Sequence, residues 1–177
     1  MQSSTRRWNR LDIEGHEDLE LHQAASLVAI GVVAAGEERY SYRATLTHDW
    51  DFLHLTVGSG DGRALSVHRS PTGLWSVDGQ DRDDLSDAFD IDLSFSPFTN
   101  TLPIRRLDLD LGASAEIVCA YVDTPSLEVT TDPQRYTRLD THLYLYESMD
   151  SDFSREITVD DDGLVVGYPG LFAVERD

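Results

Sequence analysis

Six stretches of this chain alternate apolar and polar side chains with period two, and that pattern excludes most folds before composition is considered. They are "YSYRATLT" (40–47), "DFLHLTVG" (51–58), "RALSVHR" (63–69), "AEIVCAYV" (115–122), "SLEVTT" (126–131) and "THLYLYES" (141–148), all enriched in β-branched and aromatic residues. Successive side chains of a strand point to opposite faces, so each stretch reads as a strand with one face buried. Turn signals at short intervals separate them: "GSGDG" (58–62), "SPTG" (70–73), "VDG" (77–79), "TDP" (131–133) and "DDDG" (160–163). The expectation is a mainly β meander of antiparallel hairpins, without βαβ spacing and without an internal repeat.

Helix signals are sparse. In "SPFTNTLPIRR" (96–106), Asn100 or Thr101 can cap and Pro103 suits a first turn, which predicts one short helix running directly into a strand, "LDLDL" (107–111). A second helical turn, capped by an Asp, is expected in "DRDDLSDAF" (81–89). No linker or compositional break divides the 177 residues, so one domain, 1–177, is expected. The longest apolar run, "SLVAIGVVAAG" (26–36), is too short to span a bilayer, and the N-terminus has no apolar signal region. Cys119 stands alone and leaves no disulfide framework. A soluble, cytoplasmic protein is the expectation.

The 33 acidic residues face 14 basic ones, every one of them Arg, for a net charge of -19. Surfaces built from Asp without Lys resemble those of proteins from cells that keep molar salt, where a Debye length of about 3 Å screens self-repulsion. GC-rich coding explains missing Lys but not 23 Asp, so a halophilic origin is expected. An unpatterned negative surface argues against nucleic acid or an anionic membrane as partner.

No metal or cofactor motif stands out. The histidines lack clip spacing, and "HDWD" (48–51) reads as a hairpin end; "TVDDDG" (158–163) lacks the calcium-loop pattern, and "GSGDGR" (58–63) opens no helix. Cys119 falls in an alternating strand and reads as a core thiol, not a nucleophile. Asp90 and Asp92 share a face of "DIDL" (90–93); they are either solvated surface or an acid–base pair for a hydrolase or isomerase.

The motif "SPFTNTLPIRRL", flanked by "GLWSVDG" (73–79), "DIDLS" (90–94), "AYVDTPSLEVTTDPQRYTRL" (120–139) and "VDDDGLVVGYPGLF" (159–172), resembles the signature of the putative glycolipid-binding family, small prokaryotic proteins. The likeness spans roughly residues 40 to 172 in order, and the N-terminal third matches poorly. The resemblance implies an antiparallel spiral β-roll, a long curved sheet wound around a single α-helix, a homodimer, and binding of a glycolipid or other amphipathic small molecule without catalysis. It implies a candidate site of Trp75, Asp78, Asp90, Asp92, Asn100, Thr101, Arg105, Arg106, Tyr136 and Tyr168 near the roll axis. The same residues also read as a buried polar network that fixes the fold, in which case the protein is a dimeric interaction protein with a filled core. Adjacent side chains diverge, so only one of the arginines serves the interior; Arg105 is expected inward, and Arg106 outward beside "DLD" (108–110).

Overall fold

The computed structural model describes residues 2–175. Fifteen strands form one sheet: β1 (Gln2–Arg10), β2 (Gly15–Gln23), β3 (Leu27–Ala35), β4 (Glu38–Leu46), β5 (Phe52–Ser59), β6 (Ala64–Arg69), β7 (Trp75–Val77), β8 (Gln80–Asp81), β9 (Asp90–Leu93), β10 (Ser114–Val122), β11 (Val129–Asp140), β12 (Leu143–Ser148), β13 (Ser154–Val159), β14 (Val165–Tyr168) and β15 (Phe172–Val174). Their spatial order is β8 through β1, then β15 through β9. The first and last strands therefore pair mid-sheet, Trp8 opposite Val174. Two meanders run outward from that seam.

Alternation explains the strands. In β4, Tyr40, Tyr42, Ala44 and Leu46 are buried while Ser41 and Arg43 face water. Each large apolar side chain removed from water contributes roughly 1.5–3 kcal/mol, which fixes the register because a one-residue slip would expose the whole set. The two ends of the sheet approach one another: Arg82 Nη2 donates to the Val129 carbonyl at 2.8 Å, and Arg63 Nη1 to that of Pro125 at 2.6 Å.

One pair departs from the antiparallel expectation. β9 and β10 are parallel, Asp92 opposite Tyr121, and a parallel pair needs a crossover. Residues 94–113 supply it, with a 3₁₀ turn (Pro97–Asn100) leading into α1 (Thr101–Leu107). Ser96 caps that turn by accepting from Phe98 N, and Pro97 fits its first position. Residues 95–104 are all buried. Phe98 stacks 6.4 Å from Tyr42 of β4, and Asn100 reaches Tyr136 of β11, so the segment touches both meanders.

Several local expectations are corrected. "LDLDL" is no strand: Asp108 takes a left-handed φ of 40°, which ends the helix, and β10 begins only at Ser114. "TDP" lies inside β11 instead of in a turn. Pro133 is tolerated there because β12 pairs only from Gln134 onward, leaving the proline nitrogen without a ladder partner to lose. The "DRDDLSDAF" turn is a 3₁₀ turn at Asp83–Leu85, preceded by Arg82 with no side-chain cap. Three strands, β1 to β3, fill the N-terminal region that alternation left unassigned.

Candidate functional site

The crossover places an open cleft of about 390 Å³ between the end of β9 and the β12–β13 turn. Asp92, Asn100, Tyr121, Asp132, Tyr146 and Tyr168 contribute polar groups to its lining, and Phe153 and Phe172 apolar rings that pack against Tyr146 and Tyr168. Asp92 is held by two donors, Thr99 Oγ1 at 2.8 Å and Gln134 Nε2 at 2.7 Å. Gln134 Nε2 also donates to Asp132 at 2.7 Å, so one amide bridges the two carboxylates. Burial raises the Asp92 carboxyl to about 6 against those two hydrogen bonds, and it raises Asp132 as well. Tyr136 accepts from Asn100 Nδ2 at 2.9 Å and meets Tyr146 edge-on at 5.4 Å; Tyr146 in turn lies 6.3 Å from Tyr168. Burial holds all three phenols protonated, with their pKa values raised. Tyr146 and Tyr168 present hydroxyl donors and ring faces to the cleft, and among the described residues no Arg or His lines it.

The family model described as "Putative glycolipid-binding" matches residues 5–174. The chain belongs to this family. The match extends into the N-terminal region, where the motif likeness was poor. A DUF1089 family protein from Pseudomonas aeruginosa, known from its crystal structure, is 35% identical, with a TM-score of 0.76 over 89% of this chain and 91% of that one. No curated protein matches.

In this family member, the ten expected site residues do not converge. Asp92, Asn100 and Tyr168 line the cleft, with Tyr136 directly behind Asn100. Trp75 is a core residue: it stacks on Phe52 at 5.3 Å, and its Nε1 donates to the Ala88 carbonyl. Asp78 sits exposed in the β7–β8 turn at φ 50°, accepting from Ser66 N, and pairs with no arginine among the described residues. Thr101 is fully buried, and its hydroxyl has no partner among the described residues.

The arginines take the reverse of their expected places. Arg106 turns inward and grips the fully buried Asp90 with two hydrogen bonds, Nε to Oδ1 at 3.0 Å and Nη2 to Oδ2 at 2.5 Å, while its guanidinium lies 4.2 Å over Phe89. Burial still raises the Asp90 carboxyl above its ordinary range despite that partner. Arg105 is exposed, 5.5 Å over the Trp50 ring. The deciding influence is the buried carboxylate: Arg106 follows Leu102 by four residues, one helical turn, and shares its inward face. Neither arginine lines the cleft, and Asp90 is committed to Arg106, so Asp90 and Asp92 are neither solvated surface nor an open acid–base pair. Cys119 is buried against Gln134 Oε1 at 3.4 Å, and burial pushes its thiol well up. Among the described residues no group of three or more His, Cys, Asp or Glu is placed to hold a metal.

Behind Ser96 at the cleft wall lies a carboxyl that sequence reasoning missed. Glu17 of β2 is fully buried; its Oε1 accepts from Tyr42 OH at 2.6 Å and Ser96 Oγ at 2.8 Å, while Oε2 has no partner among the described residues. Desolvation raises its pKa to about 7. Tyr42 reaches it only because Gly31 lies opposite on the intervening strand; a Cβ there would stand 2.0 Å from the Tyr42 ring. The signal was present in "GHEDLELHQ" (15–23), where Glu17 takes a place on the Leu19–Leu21 face.

Proposed function

We propose that the protein binds the polar head of an amphipathic, sugar-bearing ligand in the cleft at the end of β9, as a carrier and not a catalyst. The observation that carries the reading is the cleft itself: neutral tyrosines clustered with Phe153 and Phe172, together with two amide-bridged carboxylates, within the roughly 300–1,000 Å³ range of small-molecule sites. Carboxylates and amides accept and donate to hydroxyl groups, and tyrosine rings stack on sugar faces. Among the described residues the lining itself holds Asp and no Arg or His, which favours a neutral hydroxylated head, while the Arg155 and Arg10 guanidiniums stand 4.6 and 5.1 Å over the Phe153 and Phe172 rings, so the phosphate probe decides between the two kinds of head. Belonging to a family described as "Putative glycolipid-binding" supports the same class of ligand. A sheet wound about α1, a homodimer and a high-salt cytoplasm complete the reading.

Among the described residues no helix is long and apolar enough to cross a membrane. The test is calorimetric titration with monomeric octyl glucoside and octyl phosphate in molar KCl. The glucoside should bind, the phosphate should not, and Tyr168→Ala should abolish glucoside binding. Equal binding of both probes, or of neither, would overturn the reading.

A further inference from the structure

Ser96 stands between the cleft and a buried carboxyl. It lines the cleft, yet its hydroxyl donates backward to Glu17 Oε1 at 2.8 Å, the oxygen that also takes the Tyr42 hydroxyl at 2.6 Å. Both bonds are short, as hydrogen bonds to an ionised carboxylate are. The third side of the triangle, Tyr42 OH to Ser96 Oγ, is longer, at 3.3 Å. Glu17 and Tyr42 lie behind the lining, so Ser96 is the member of this trio that meets the cleft.

The protons held by the trio decide what Ser96 offers a ligand. With Glu17 ionised there are two, one on each hydroxyl, and both are drawn onto a carboxylate that accepts and cannot donate. Ser96 Oγ also accepts from Phe98 N at 3.2 Å, so toward the cleft it presents no donor. A proton on Glu17 makes three. Glu17 then donates to one hydroxyl instead of taking from both, and one hydroxyl proton is released. Among the described residues the Tyr42 hydroxyl has no partner besides Glu17 and Ser96, and the 3.3 Å contact between the two hydroxyls is a poor home for that proton. An oxygen of a ligand in the cleft offers Ser96 a better one.

We infer that Ser96 is a ligand-binding hydroxyl of the cleft, and that a proton on Glu17 turns its O–H toward the ligand, so that ligand uptake is coupled to proton uptake. The inference rests on the sugar-binding reading of the cleft and adds a contact residue and the group that governs it. Glu17 touches no ligand; it is a positioning residue that acts through Ser96.

The surroundings of Glu17 suit this role. Arg10 on β1 favours its charge, Asp18 beside it on β2 opposes it, β3 places Val33 opposite, and residues 95–104 of the crossover carry no charge. Desolvation outweighs the rest and holds the carboxyl at about 7, where it changes state near neutral pH. Its unpartnered Oε2 is also tolerated more easily as a neutral carbonyl than as half of a buried charge. On the cleft side of Ser96, burial raises Asp92 to about 6 and raises Asp132 too, so the cleft has a second, more acidic titration of its own. A ligand that takes the Ser96 proton prefers the protonated form. Its affinity therefore falls as pH rises through 7, and by reciprocity the bound ligand raises the Glu17 pKa.

Calorimetric titration of octyl glucoside between pH 5.5 and 8.5 in molar KCl, with carbon-13 NMR of the Glu17 side chain, tests the coupling. Wild-type affinity should fall about tenfold across a step centred near pH 7, within the usual range for coupled sites. Glu17→Gln is neutral throughout and should lose that step, whereas Asp92→Asn should keep it. Ser96→Ala should bind more weakly at pH 5.5 and lose the step as well. In the wild-type chain, which needs no variant to fold, saturating glucoside should raise the Glu17 midpoint by about one pH unit, the shift that a tenfold coupling requires. Affinity flat through pH 7 with an unmoved Glu17 midpoint would overturn the coupling and leave the sugar-binding reading standing. A step that survives in Glu17→Gln would overturn the role of Glu17, and one that survives in Ser96→Ala the role of Ser96. Absence of glucoside binding at every pH would overturn the sugar-binding reading and this inference with it.

Discussion

Ser96 Oγ donates to Glu17 Oε1 at 2.8 Å, joining β2 to the crossover segment across 79 positions of sequence. The bond couples the region of poorest motif likeness to the most distinctive motif of the chain. Glu17 also takes the Tyr42 hydroxyl, so a single carboxyl oxygen ties β2, β4 and the crossover together behind the cleft wall.

That carboxyl sets a pH dependence. Its folded pKa of about 7 lies above the ordinary 4.5, so the folded state holds the proton more tightly. Stability is then fullest below pH 4.5 as far as this group is concerned, and falls as pH rises through 7. The span corresponds to roughly 2–4 kcal/mol at about 1.4 kcal/mol per pKa unit. Glu17→Gln keeps an acceptor for Tyr42 and Ser96 without a charge. Urea melts should show the variant close to wild type at pH 4.5 and more stable by about 2 kcal/mol or more at pH 8; equal stability at pH 8 would show that Glu17 carries no such burden.

The two arginines separate a structural from a surface role. Arg106→Met leaves Asp90 buried without its partner and should cost about 3–5 kcal/mol at neutral pH, less in acid where Asp90 takes a proton. Arg105→Met should leave the melting temperature nearly unchanged, since its guanidinium is exposed beside Trp50. Differential scanning calorimetry of both variants decides it, and equal losses would contradict the assigned places.

Gly31 is a third test, because it is the space through which Tyr42 crosses to Glu17. Gly31→Ala puts a methyl group where the ring lies, at 2.0 Å, so the ring must move off the carboxyl. Overpacking of this kind costs roughly 1–3 kcal/mol. The lost hydrogen bond should also remove a lowering influence on Glu17 and shift its titration upward, which carbon-13 NMR of the side chain would report.

What the sequence made legible follows one physical rule. Strands half in water write their burial as alternation, so β5 at Phe52–Ser59 and β10 at Ser114–Val122 lie within a residue of the stretches read from pattern. β3 has no alternation because its outer residues are also apolar, and β1 hides its core Trp8 among arginines. The cleft was half legible. Asp92 and Asn100 were singled out within recognisable motifs; Tyr121 and Asp132 lie in the 120–139 motif and Tyr146 in none, but strand register brings all three to the cleft, and Glu17 stands behind it only through the space left by Gly31. The arginine order was misread because a seven-residue helix does not reveal which flank faces a buried carboxylate.

Salt dependence is the last expectation, and the ion pairs sharpen it. Arg7–Asp18, Arg63–Asp61 and Arg135–Glu116 are exposed pairs, each of a kind that contributes little and weakens further on screening. Against them stand 33 acidic residues and a net charge of -19, most of whose repulsion acts over distances longer than contact. Raising salt from about 0.1 M to about 1 M shortens the Debye length from roughly 10 to 3 Å and removes the long-range repulsion first. The buried Arg106–Asp90 pair is shielded from that screening and keeps its hold. The melting temperature should therefore climb steeply with KCl over this range, and NaCl should act alike if screening is the cause. A flat or falling melting curve across the series would mean that repulsion does not limit this fold, and would sink the halophilic reading of its surface.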